Sequence, residues 1–109
     1  MELNSRKLLE DMRVAGRRVM EYAHGRTLEE FRSQRMLRSA ILREMQLLGE
    51  ALERLQDNDS PVADALPRHR RFVNLAYAIR HDDAVGDEVV WDVVRIDLPP
   101  LLSAVGERV

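Results

Sequence analysis

The chain contains no cysteine, which excludes disulfides, thiol nucleophiles and thiolate metal sites at once. Histidine is scarce as well. His24, His69 and His81 are the only three, and no spacing among them suits a metal ion, so neither metal nor cofactor is expected. Nothing approaches the roughly 18 apolar residues of a membrane span. The opening MELNSRKLLEDM is charged from its second residue and lacks the apolar stretch of a secretory signal. These gaps lead to the expectation of a soluble, cytoplasmic protein that makes no use of a membrane. A glycine loop that could cradle phosphate and a Ser-His-Asp pattern are both missing. An excess of one charge is missing too: 17 Lys and Arg stand against 19 Asp and Glu, for a net of −2. That balance excludes the globally basic field of a dedicated nucleic-acid binder, so any RNA contact must use a local patch. With aromatics at 5%, the core must be built from Leu, Val, Ile, Met and Ala.

The 109 residues suit one domain, 1–109, and the apolar periodicity throughout is helical. Leu8, Met12, Ala15, Val19 and Tyr22 recur at steps of four and three, the seam of a packed helix that Gly25 ends. Thr27 followed by Glu30 forms a capping box, which predicts a second helix from Leu28. Leu37, Ile41, Met45, Leu48, Leu52 and Leu55 carry its stripe. At about 28 residues this helix would be roughly 42 Å long, more than a compact domain of this size is wide. Together the two predict a long antiparallel hairpin over about Ser5 to Leu55, with a free flank suited to a symmetric dimer. Ser60-Pro61 opens a short turn that Pro67 closes. Phe72, Leu75, Ala76 and Ile79 then form the inward face of a helix over about Arg68 to Arg80. Asp82 to Gly86 reads as a loop and Asp87 as the N-cap of EVVWDVVRI. That stretch is rich in β-branched residues, but no second strand exists to pair with it, so it too is read as a helix. Asp97 and Pro99-Pro100 restart a last helix. The fold class expected is all-α, a four- to five-helix bundle.

His81 is the histidine placed like a reactive group, at a helix end beside a loop and next to Arg80. It falls near the line of Arg70, Asn74 and Tyr77 on that helix. The run Arg68-His69-Arg70-Arg71 reads either as a phosphate-contacting patch or as an ordinary solvated face. The small residues of Gly49-Glu50-Ala51 permit close helix packing, with Glu50 buried and paired.

The segments LREMQLLGEALERL and LPRHRRFVNLAYAIRHDDAVGDEVVWDVVRIDL, Leu42–Leu55 and Leu66–Leu98, resemble the HepT-like branch of the HEPN superfamily, small helical ribonuclease toxins found beside a nucleotidyltransferase antitoxin. The resemblance implies a homodimer, a minimal nucleotidyltransferase partner and RNA, tRNA or mRNA, as substrate. It also implies metal-independent RNA cleavage by a motif of Arg-Asn, three further residues, His, any residue and Tyr. On that alignment His81 is the catalytic histidine, Ala76 stands at the arginine position, Tyr77 at the asparagine and Asp83 at the tyrosine. The motif is therefore degenerate, and activity is expected to be weakened or lost. Arg68, Arg70, Arg71, Asn74, Tyr77 and Arg80 are the candidate RNA-binding residues. Restoring the motif with Ala76→Arg and Asp83→Tyr is expected to raise activity. The competing expectation is a non-catalytic dimeric module that binds the nucleotidyltransferase.

Overall fold

Apolar seams build the two longest helices, and neither begins with a side-chain cap. The computed structural model describes residues 1–109 and is all-α, with no strand. Helix α1 (Leu3–Ala23) and helix α3 (Arg35–Asn58) lie antiparallel. Asn58 at the end of α3 donates to Ser5 at the start of α1 (2.9 Å), while Arg18 meets Glu44 nearer the other end. Helix α5 (His69–Arg80) packs on another flank of α3, after a single turn, α4 (Ser60–Asp64). The chain returns through α6 (Asp87–Asp92), a π-turn (Val93–Asp97) and α7 (Leu98–Gly106), which lies along α1. One continuous core runs through all of these, from Leu9, Met12 and Val19 through Met45, Leu48 and Leu52 to Phe72, Val94 and Leu101.

Two close approaches set the layering. A Cβ at Gly16 would meet the Leu102 side chain, so α1 and α7 nearly touch there. At Gly49 a Cβ would lie 2.5 Å from the Phe72 carbonyl oxygen and nearer still to the Ala76 Cβ, so α3 and α5 are in backbone contact. The small residue expected from Gly49-Glu50-Ala51 is required for that approach.

Four local expectations are corrected. In α1 the buried face runs through Leu9 and Ala23 rather than Leu8 and Tyr22, because Gly16 turns a second side of the helix onto α7. The long second helix breaks at Gln34, which is extended (φ −92°, ψ 98°), leaving a separate α2 (Leu28–Ser33). Its capping box forms as read from Thr27 and Glu30. The break lets buried Phe31 stack on Trp91, centroids 5.3 Å apart, an aromatic pair of about 0.5–1.5 kcal/mol beyond its area burial. Arg32–Glu88 and Arg38–Asp87 clamp the same junction. That second pair removes Asp87 from the cap position, which Gly86 occupies. Finally, the last helix does begin after Asp97, but without an interruption: the chain stays helical from Asp87 to Gly106. Pro99 and Pro100 lack N–H groups, and a proline ring clashes with the carbonyl four residues back. A wider π-turn just ahead of them, where Leu98 N–H bonds Val93 O, lets the rod continue.

Candidate functional site

Helix α5 ends in a Schellman motif. Asp82 N–H bonds the Ile79 carbonyl (3.2 Å), and Asp83 N–H reaches back to Ala78 (2.9 Å), with Asp82 in the left-handed region at φ 54°. Aspartate is among the few side chains that tolerate this conformation. The motif fixes His81 as the C-cap, exposed and directed away from the core.

Three of the candidate residues meet at this end. The Tyr77 and His81 rings lie 4.1 Å apart, centroid to centroid, and tilted by 38°. The Arg80 guanidinium stands 6.0 Å from the Tyr77 ring and 3.7 Å from the Glu50 carboxylate, which Gln46 also contacts at 3.2 Å. Glu50 from α3 thus holds Arg80 against the tyrosine. Tyr77 is 53% exposed, a large aromatic face open to solvent. Arg70, Asn74, Tyr77 and His81 are all exposed and follow one side of α5 at steps of four, three and four. This strip offers a cation, an amide, an aromatic face and an imidazole over roughly 16 Å.

The basic run lies elsewhere. Arg68, Arg70 and Arg71 belong to the opposite end of α5, and Arg68 has the left-handed φ of 59° as its N-cap. Arg71 is engaged with Asp97 at 2.9 Å, so it ties α5 to the π-turn. His69 packs inward, its Nδ1 3.2 Å from Leu66 O and its Nε2 3.4 Å from Asp64. Ala76 is 2% exposed against Gly49 and presents nothing to the surface. Asp83 lies with Asp82 in a hollow beside α3 that Arg38, Ile79 and Val85 help to line.

Two polar residues escaped the sequence reading. Glu44 is buried on α3 and meets Arg18 at 3.6 Å. Asp97 is 4% exposed and holds Arg71. A signal for Asp97 was present, since it falls at helical spacing from Val93, Val94 and Leu101, a carboxylate on an otherwise apolar face. Three His or acidic side chains nowhere gather as metal ligands, and no helix is long and apolar enough to cross a membrane.

An exposed imidazole beside a guanidinium can move a proton while a fixed cation stabilises growing phosphate charge. No curated protein and no solved structure matches this sequence significantly. A sequence model of the family described as Ribonuclease HepT-like, however, matches residues 12–107. The match takes in α1 from Met12 onward, all of α3 and α5 and the rod that follows, and the chain belongs to the HepT-like ribonuclease family.

Proposed function

We propose that this chain is the HepT-like member of a toxin–antitoxin module, a cytoplasmic homodimer that binds RNA along the exposed side of α5 and cleaves it only weakly. The observation that carries the reading is the contrast at adjacent turns of one helix. Ala76, at the motif's arginine position, is pressed against Gly49 with no space for a guanidinium, whereas Tyr77, Arg80 and His81 cluster in the open. In this scheme His81 takes the proton of the 2′-hydroxyl or gives one to the leaving 5′-oxygen, and water completes the other transfer. The 2′-oxygen attacks phosphorus, the 5′-oxygen leaves as a hydroxyl, and a 2′,3′-cyclic phosphate remains. Arg80 supplies the only neighbouring cation, and Glu50 partly neutralises it. Asp83 replaces the tyrosine that a minimal nucleotidyltransferase would modify. Neutralisation by that partner would then rest on binding alone.

The test is cleavage of a labelled tRNA or mRNA fragment in EDTA. Slow production of 2′,3′-cyclic phosphate ends, lost in His81→Ala and reduced in Arg80→Gln, is expected; cleavage that needs added metal or survives His81→Ala would refute the scheme.

A second reading, the non-catalytic dimeric module for a nucleotidyltransferase, is favoured by one specific feature. Asp82 and Asp83 set two carboxylates directly after His81, where a phosphate would have to approach against their charge. Co-expression with a minimal nucleotidyltransferase separates the readings: a stable complex together with no measurable cleavage favours the second.

A further inference from the structure

A second concave surface lies away from the α5 strip and shares no residue with it. It is a hollow of about 260 Å³ between the end of α1 and the π-turn, lined by Met20, Ala23, His24, Gly25, Arg26, Val94, Arg95 and Pro99. Its polar lining is entirely basic, two guanidiniums and an imidazole without a carboxylate, in a chain whose net charge is −2. The other large grooves differ. The one between α1 and α3 mixes Asp11 and Glu44 with Arg18 and Arg54, which lets its charges satisfy one another.

The two arginines are disposed differently. Arg26 reaches Glu30 at 3.6 Å and Gln34 at 3.4 Å, so it is held at the rim by partners that leave donors to spare. Arg95 has no carboxylate partner; its guanidinium lies 6.0 Å from the Trp91 ring. A planar cation oriented on an aromatic face and lacking a counter-charge is preorganised for an oxyanion. Gly25 lines the hollow at φ 70°, with nothing within 4 Å of where a Cβ would be. Exposed Met20 and half-buried Pro99, over buried Ala23 and Val94, give the hollow an apolar wall suited to the flat face of a sugar or base.

We infer that this hollow binds a phosphate monoester of nucleotide size, its phosphate held by Arg26, Arg95 and His24 and its organic part against Met20 and Pro99. The ligand is either a free nucleoside 5′-monophosphate or the 5′-phosphorylated end of an RNA strand. Both present a dianionic phosphate next to a ribose.

Amide NMR titrations of the full chain with inorganic phosphate, UMP, uridine, and a trinucleotide with or without its 5′-phosphate test this directly. UMP is expected to shift the His24, Gly25, Arg26 and Arg95 amides while uridine does not. Affinity should fall about tenfold or more in Arg26→Gln/Arg95→Gln, as two charge-assisted hydrogen bonds are lost, and should be unchanged in Arg54→Gln. A response to the phosphorylated trinucleotide alone would identify an RNA end as the ligand, and a response to UMP would admit the free nucleotide. Both substituted arginines are exposed, so the variants should keep the native spectrum, and the wild-type shifts test the site even if they do not. Equal shifts with uridine and UMP, shifts confined to the α5 strip, or no response to any phosphorylated probe at millimolar concentration would overturn the inference. Because the probes do not require cleavage, a result here is independent of whether His81 is catalytic.

Discussion

Ala76 stands where the family motif carries arginine, 2% exposed and packed on α3. Restoring an arginine there seemed a route to activity when only the motif was in view, but the Cβ of Ala76 already lies against the Gly49 backbone. A guanidinium could enter only by parting α3 from α5, adding overpacking to a buried charge without a partner. Ala76→Arg is therefore expected to destabilise the fold by at least about 2 kcal/mol and lower Tm by roughly 10 °C, without raising cleavage. Thermal unfolding beside an RNA assay checks both halves. A second residue-scale effect sits far from the site. The carboxylate of Glu10 receives the Arg13 guanidinium, including a 2.9 Å bond from Nε, and that hydrogen bond holds its pKa below the ordinary glutamate value of 4.5. A depressed folded-state pKa means the stabilisation is present above the unfolded value and is lost as pH falls through the lower one. Solvent around the pair keeps the effect small. Carboxyl-detected NMR should show Glu10 titrating below 4.5, moving back toward it in Arg13→Gln; an unshifted midpoint in the wild type would contradict this.

Element by element, what the sequence disclosed depended on whether a signal was local. Capping by Thr27 and Glu30 uses four consecutive residues, and it was read from them. So was the helical period of Phe72, Leu75 and Ala76, all buried. The break at Gln34 has no local cause, because it answers to Trp91, far along the chain, which pulls Phe31 out of line with α3. Continuity from α6 to α7 was hidden for a similar reason: Pro99-Pro100 ordinarily marks an interruption, and the π-turn that absorbs it has no sequence signature of its own. At the site, Tyr77 and His81 were traceable from their spacing, and Arg80 from adjacency. That Glu50 reaches Arg80 required the packing of α5 on α3, whereas the placing of Arg68 and Arg71 a helix length from His81 follows from the extent of α5 alone. The Schellman ending of α5 offers its own test. Asp82 adopts a left-handed conformation that glycine enters more readily, so Asp82→Gly should raise stability by about 0.5–1 kcal/mol. It also removes a carboxylate beside His81, and RNA affinity should rise with it. A loss of stability in chemical denaturation would show that the aspartate side chain is needed at that turn.

The whole molecule is elongated, 41 × 27 × 19 Å, with α3 running through its centre between α1 and α5. Val14 and Leu47 remain more than a third exposed on the hairpin, and Tyr77 is more exposed still, which leaves apolar surface for a second copy. Light scattering at micromolar concentration should give twice the chain mass of 12.6 kDa, and Leu47→Glu should shift the population toward monomer; a wild-type monomer would contradict the proposed homodimer. On the proposed reading, His81 stays exposed at the motif's histidine position while buried Ala76 leaves the motif without its cation. One missing charge-stabilising donor removes about 10²–10³ in rate, from a typical enzymatic turnover of about 10 per second. The most direct measurement is the single-turnover rate of RNA cleavage by the unaltered chain in EDTA, alongside His81→Ala. The account predicts a rate below about 0.1 per second that His81→Ala abolishes. A rate near 10 per second, or any rate that His81→Ala leaves intact, would contradict it.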